Sequence, residues 1–416
     1  MRLKIAFLSF FICFKTALFS QTNQVYVPAG ISSSKNQPTH TFNGNQGLAT
    51  SYSLTACGLN YVHASSPLFA RTGNNYVPGV LQPATFSISG LPLCTTIEKA
   101  FLYVGTSGAS VSINVSITNP GSGNSSFPMS LIGSGPDKNW GFAGSYTYRA
   151  DVTGIIAGNG NYFISGIPTS TSNTADDANG ATLLIIYSDR SQNYSGSIVI
   201  ADGSFVNANG AGSVNSNITG FDVCGTPSLT TNFMLLDDMQ AYDSTFISFN
   251  SAVTNYTQAP AADLPWKFIT TPGASVSIGQ TNADFGFINT ADTIGLLMAG
   301  FYFQSDCLVC PTALTLAASS TPSCLGTATV VVTGGVGPYT YFWPGTSQTL
   351  DNAIGLSAGV QSVIVSDNSG CLTGTTTVNV FTPAPPITAT NATVCVGFSA
   401  NLAAGAASAY TWNPSG

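Results

Sequence analysis

The stretch Ala181-Thr182-Leu183-Leu184-Ile185-Ile186-Tyr187 decides the fold. It is of strand length, and its β-branched and aromatic side chains favour a strand over a helix. Successive strand side chains point to opposite faces, and here both faces are apolar, so this strand lies in the middle of a sheet covered on both sides. Residues 100–104, 111–117, 197–200, 246–249 and 293–303 repeat the texture, separated by clusters of Gly, Asn, Ser and Pro. No amphipathic helical period interrupts them. Strands this close together, joined by turns instead of crossover helices, predict an all-β fold, with a large antiparallel β-sandwich or jelly-roll-like domain over residues 22–306.

Composition agrees. The chain has 416 residues, room for two to four domains, and 44% of them are hydrophobic, enough for a large core. Charged residues make up 6% against a usual ~25%. Helices that face solvent draw on Glu, Lys and Arg, and the sole glutamate is Glu98. Three of the ten basic residues, Arg2, Lys4 and Lys15, sit at the extreme N-terminus. Without them seven basic groups face seventeen acidic ones, a net charge of −10, which disfavours nucleic acid and anionic membranes as partners.

Residues 1–20 have the parts of a secretory signal peptide: Arg2 and Lys4, an apolar run over 5–14, and small residues near Ser20, with cleavage placed near Ser20/Gln21. Lys15 stops the apolar run short of the ~20 residues a membrane span needs, and no later stretch is long enough, so no transmembrane segment is expected. The residues before Cys13 lack the small side chains of a lipidation box. A secreted or cell-surface location follows, and with it oxidised cysteines. Cys57, Cys94, Cys224, Cys307, Cys310, Cys324, Cys371 and Cys395 remain after cleavage. The C-x-x-C at Cys307 and Cys310 has no second pair and the chain has 2 histidines, a poor zinc set, so the two are read as separate bridges at a domain junction. Cys57 and Cys94 are also expected in disulfides, with their connectivity open.

Beyond Cys310 the sequence repeats itself. Cys324 precedes Trp343 by 19 residues and Cys395 precedes Trp412 by 17, which marks a unit of about 70 residues with its own core. Residues 311–381 form one small immunoglobulin-like β-sandwich and 387–416 the truncated start of a second, with Thr382-Pro-Ala-Pro-Pro386 as a stiff linker. Tyr339, Tyr341 and Trp343 share one strand face, Val363 and Val365 another, and both are read as core, because so small a domain has few other large side chains to bury. Cys324 and Cys371 bracket the unit; closing that loop would contribute ~4 kcal/mol.

These residues carry a resemblance. Gly334-Gly-Val-Gly-Pro-Tyr-Thr-Tyr-Phe-Trp343, Gly355-Leu-Ser-Ala-Gly359 and Val363-Ile-Val-Ser-Asp-Asn-Ser-Gly-Cys371 resemble the SprB-type repeat of cell-surface adhesins in gliding bacteria, over roughly residues 320–381. Gln361 stands where that family usually has an aromatic residue. The resemblance implies an N-terminal fragment of an adhesin whose further repeats and type IX secretion signal, the contact with the secretion machinery, lie beyond Gly416. Tyr148-Arg-Ala-Asp-Val-Thr-Gly154 and Gly180-Ala-Thr-Leu-Leu-Ile-Ile-Tyr-Ser-Asp189 are similar to phrases in β-rich domains of prokaryotic surface proteins, which speaks for location more than chemistry.

Catalytic patterns are poor. Gly355-Leu-Ser357-Ala-Gly359 fits G-x-S-x-G, but a nucleophile elbow needs a later histidine, and His40 and His63 both precede it, so it reads as a turn. Asp176-Asp177 and Asp237-Asp238 supply carboxyl groups for a glycosidase, yet neighbours on a strand point to opposite faces and form no dyad by themselves. Asp176, Asp177 and Asn179 lie in an oxygen-rich segment and are the candidate ligands for calcium, although the EF-hand spacing is absent. No catalytic residue and no other cofactor is expected. Two functions remain: a non-enzymatic adhesin-like protein that binds an extracellular polysaccharide or surface protein through its N-terminal domain with the repeats as a stalk, or an extracellular carbohydrate-active enzyme with accessory repeats. The single glutamate favours the first.

Overall fold

A computed structural model describes residues 46–381 except 69, 73–74, 78–81, 137–142, 169–176, 208–212, 240–243, 251, 258–263, 273–275, 290–293 and 324. The signal segment, His40, Asp176, Cys324, the 382–386 linker and the 387–416 unit therefore lie outside the described residues. Strands begin with Gln46–Cys57 (β1), Leu59–Pro67 (β2), Ala70–Thr72 (β3), Asn75–Val77 (β4), Ala84–Ile88 (β5), Thr95–Ser107 (β6) and Asn114–Thr118 (β7). They continue through Asn124–Pro128 (β8), Ser130–Gly135 (β9), Ser145–Asp151 (β10), Gly160–Ser165 (β11) and Asp177–Asp189 (β12). Ser195–Asn207 (β13), Ser213–Thr219 (β14), Ser228–Met239 (β15), Ser244–Phe249 (β16), Ala252–Thr257 (β17), Leu264–Pro272 (β18), Asn282–Asn289 (β19) and Ile294–Ser305 (β20) follow. Among the described residues the sole helical element is a 3₁₀ turn, Thr153–Ile155.

The stretch 181–187 behaves as its apolar faces require. Leu183, Ile185 and Tyr187 pack on one side of β12 with Leu102, Val104, Phe86, Val115 and Ile164, while Leu184 and Ile186 pack on the other with Phe101, Ile198, Leu235 and Met298. Strand β20 is buried in the same double fashion, with Leu296 and Phe301 on one face and Leu297 and Tyr302 on the other.

Where the sequence predicts one large sandwich, the structure has two. The orders β2-β12-β6-β10 and β5-β11-β7-β8 define an eight-stranded jelly roll, with β9 added beside β10. The orders β13-β20-β15-β18 and β14-β19-β16-β17 define the same roll again, strand for strand along the chain, with β1 added beside β13. Every pairing in both rolls is antiparallel. The rolls stack through their five-stranded sheets, so four β layers enclose three hydrophobic cores. Strand β2 packs on β18 and β10 on β13; because β13 is the counterpart of β2 and β18 that of β10, a pseudo-two-fold axis relates the rolls. The two added strands, β1 and β9, meet on one side of that axis.

The small unit is separate. Thr315–Ser319 (β21), Ala328–Thr333 (β22) and Asn352–Ala353 (β24) form one sheet, and Thr340–Phe342 (β23), Gly359–Ser366 (β25) and Thr373–Val380 (β26) the other. Trp343, Val363 and Val365 are fully buried between them, with Tyr339 and Tyr341 packed alongside, and the Trp343 indole N–H donates to the Leu350 carbonyl at 2.9 Å. The core reading of this aromatic face is therefore correct.

Three disulfides fasten the parts: Cys57 to Cys310, Cys94 to Cys371 and Cys224 to Cys307. Cys307 and Cys310 enter two separate bridges. The expected closure of the small unit by Cys324 and Cys371 is corrected: Cys371 sits in a tight turn after β25 that abuts the loop before β6, with its Cα 5.4 Å from that of Cys94, and the bridge runs between domains.

Candidate functional site

On the side of the pseudo-axis opposite β1 and β9, a cleft of about 480 Å³ opens beside β2 and the neighbouring ends of β15, β18 and β20. Tyr61, His63, Thr231, Thr270, Tyr302 and Gln304 line it. Tyr302 donates from its hydroxyl to the Leu59 carbonyl at 3.0 Å and accepts from Gln304 Nε2 at 3.0 Å. The Tyr61 ring meets that of Tyr302 edge-on at 5.9 Å and lies 5.1 Å from Phe233. His63, at the rim, stacks one face on Phe268 with ring centres 3.8 Å apart.

This lining is electrically neutral. Burial pushes the His63 pKa down and so favours the uncharged imidazole. Burial pushes the Tyr61 and Tyr302 hydroxyls up; hydrogen bonds with Thr231 and Thr270 at Tyr61, and with Gln304 at Tyr302, pull them only partly back. Among the described residues, no Asp, Glu, Lys or Arg lines the cleft. Its walls are fixed in place: Cys57 immediately precedes the turn into β2 and is bonded to Cys310, and Cys224, just ahead of β15, is bonded to Cys307, just past β20.

The charged side chains lie elsewhere, between the rolls. Arg149 Nη1 of β10 is 2.5 Å from Asp202 Oδ2 of β13, and the Tyr103 hydroxyl donates to the same oxygen at 2.8 Å. The guanidinium also lies 4.8 Å from the centre of the Phe101 ring. A second polar cluster joins the layers further along, where Asn179 Nδ2 donates to Asp237 Oδ2 at 2.7 Å. Beside it Trp266 lies flat on Gly105 and Gly180 and donates from its indole N–H to Thr182 Oγ1 at 2.8 Å.

The sequence candidates fare unequally. Asp237 is 3% exposed, held between sheets with Asn179, away from any surface a polymer could reach. Asp176 lies outside the described residues, as do the side chains of Asp177 and Asp238. Asn179, the third of the candidate calcium ligands, stands in strand β12, which begins at Asp177, and its amide is buried and bonded to Ser107 and Asp237, because the inter-roll layer claims that face of the strand. Among the described residues no group of three His, Cys, Asp or Glu is arranged to hold a metal ion. Gly355, in the connection between β24 and β25, and Gly359, the first residue of β25, both have positive φ, and Ser357 between them accepts from Gln361 through its backbone carbonyl at 3.0 Å, as a turn does.

The cleft residues and the Arg149–Asp202 pair were missed from sequence. The pair left one usable signal. Tyr148 and Ala150 point into one core, so Arg149 points to the opposite face, and the doubly apolar neighbour 181–187 shows that this face is buried as well.

No family profile and no curated protein matches the chain. Among solved structures, the glycoside hydrolase domain of Endo-D from Streptococcus pneumoniae R6 aligns at 12% identity and a TM-score of 0.15, covering 45% of this chain and 32% of that one. Dimeric latent PorU from Porphyromonas gingivalis aligns at 9% identity and a TM-score of 0.19, covering 69% and 32%. The chain spans about a third of each, and at those scores neither likeness bears on fold or activity.

Proposed function

We propose that this chain is an exported, non-catalytic surface protein that seats a glycan or protein partner in the cleft beside β2, while the small unit acts as an SprB-type stalk repeat. The observation that carries this reading is the cleft itself: open, neutral, lined by aromatic, amide and hydroxyl groups, and set between walls that disulfides hold in register. Binding sites of this kind place a few polar groups in a mainly apolar concavity, and fixed walls lower the ordering cost of association. Glycoside hydrolysis needs two carboxyl groups across the scissile bond, and none is among the described residues that line the cleft. The secretory signal and the disulfides support an extracellular setting; among the described residues no helix is long and apolar enough to cross a membrane.

The test is a glycan array and a panel of polysaccharides offered to the oxidised chain from residue 21 onward. Retention without release of reducing ends, weakened by Thr270→Trp in the cleft wall, is expected. Reducing sugar released by the chain and abolished by Asp237→Asn would overturn the proposal in favour of a carbohydrate-active enzyme.

A further inference from the structure

This inference rests on the cleft being a partner seat, and names what sits there. The pseudo-two-fold axis carries β13 onto β2 and β10 onto β18. The faces correspond: Ile198 and Ile200 of β13 and Leu59 and Tyr61 of β2 all turn into the core between the rolls. On the β13 side both layers are extended by one strand. Strand β1 runs antiparallel along β13 with Tyr52 opposite Ile200, β9 runs along β10, and the two lie against each other. On the β2 side, among the described residues, neither position is filled: β2 and β18 are the outermost strands of their sheets, and the cleft lies at that gap.

The occupant of the equivalent place shows what chemistry fits. Strand β1, Gln46-Gly-Leu-Ala-Thr-Ser-Tyr-Ser-Leu-Thr-Ala-Cys57, carries no charge and sets the Tyr52 ring edge-on against Phe101 at 5.5 Å. The cleft is equally uncharged. An edge strand presents unpaired backbone donors and acceptors, and proteins commonly blunt such edges with charged side chains; β2, Leu59-Asn-Tyr-Val-His-Ala-Ser-Ser-Pro67, has neither Lys, Arg, Asp nor Glu. One donor is covered locally, where the Tyr61 N–H bonds to Asn60 Oδ1 at 2.8 Å.

We propose that β2 accepts an extended, uncharged strand from a partner protein, paired antiparallel along its free edge, with an aromatic side chain set into the cleft beside Tyr61 and Thr270 as Tyr52 is set against Phe101. Backbone pairing supplies affinity in this mode of recognition, and the pocket for the alternate side chain supplies selectivity.

The probe is a fluorescent peptide of residues 46–57 with Cys57→Ser, titrated by anisotropy into the oxidised chain from residue 21 onward. Saturable binding is expected, at least tenfold weaker for the Tyr52→Ala peptide. N-methylation of the alternate amides along one peptide edge should abolish binding, and along the other edge should leave it intact. Absence of binding, or indifference to both methylation patterns, would overturn the strand. If neutral glycans bind in a manner sensitive to Thr270→Trp while the peptide does not, the strand falls and the partner seat stands; if neither ligand binds, both fall. Peptide binding that appears only after deletion of residues 21–45 would assign the edge to the chain's own N-terminal segment and exclude a partner.

Discussion

Arg149 and Asp202 meet across the two jelly rolls, Nη1 to Oδ2 at 2.5 Å, in the middle of a layer built from Phe101, Ile200 and their neighbours. Burial works against the guanidinium's charge, and Asp202 and Tyr103 more than restore it. Removing one member of such a pair strands the other in an apolar layer, so Asp202→Ala should cost about 3–5 kcal/mol in urea unfolding. The double replacement Arg149→Met with Asp202→Leu should be far milder, because no unpaired charge remains. Equal losses in both variants would mean that packing, and not the uncompensated charge, sets the cost.

Trp266 depends on two residues that lack a side chain. A Cβ built at Gly180 would fall 2.1 Å from Trp266 Cγ, and one at Gly105 would fall 2.4 Å from its Cζ3. Gly180→Ala must therefore lift the indole off β12 and break its bond to Thr182. Overpacking of this kind typically costs ~1–3 kcal/mol, and the displaced indole should shift the tryptophan emission; an unchanged spectrum with unchanged stability would contradict the contact.

Digestion without reductant should yield a peptide pair joining Cys94 to Cys371 and none joining Cys324 to Cys371. Loss of the bridge in Cys94→Ser frees the small unit from the first jelly roll at a cost of ~4–5 kcal/mol in the chain-entropy treatment of a loop of about a hundred residues, the length left once Cys57–Cys310 is closed. Limited proteolysis should then cut between the unit and the body.

Trp343→Ala should remove ~3–5 kcal/mol from the small unit through the cavity it leaves. Hydrogen exchange should accelerate in β22, β23 and β25 and stay unchanged in β12 and β20, since the small unit's core is separate from those of the rolls.

Asp367 gives that unit an acid limit. Burial raises its pKa, and hydrogen bonds from Ser369 Oγ at 2.6 Å and the Leu372 N–H at 3.2 Å outweigh burial, leaving the carboxyl below its ordinary value. A carboxyl with a depressed folded pKa contributes stability above its unfolded value of about 3.9, and this is lost as pH falls through the folded value. Thermal melts of Asp367→Asn should lack that part of the acid loss; an acid profile identical to the parent's would place the titration elsewhere.

How far the sequence discloses this molecule follows from what each element requires. The doubly apolar run 181–187 could sit only in a covered sheet, and Trp343 in so small a unit could hardly avoid its core, so class and local packing were legible. The duplication was not: β2 and β13 occupy equivalent places, yet the face turned between the rolls carries Leu59, Tyr61 and His63 in one and Ile198, Ile200 and Asp202 in the other, because a jelly roll constrains alternation and volume and leaves identity free. The cleft was hidden for a related reason, since Tyr61, Thr231, Thr270 and Tyr302 come from four strands and none belongs to a local motif. Asn179 misled because Asp-Asp-Ala-Asn-Gly has the composition of a loop, while pairing with β6 draws residues 177–180 into a strand. Cys371 was assigned to Cys324 because the two bracket the small unit, which says nothing about which turn packs against which.

The sulfur cross-links also set the route of mechanical tension. A pull on the last strand of the small unit enters the body at Cys94, ahead of β6, through its bridge to Cys371, so the peptide between residues 310 and 371 and the Cys57–Cys310 bridge behind it are spared the load. Under traction the stalk cannot be peeled from the body turn by turn; a sulfur–sulfur bond must be cut first, and a reducing environment would convert a rigid handle into a tether.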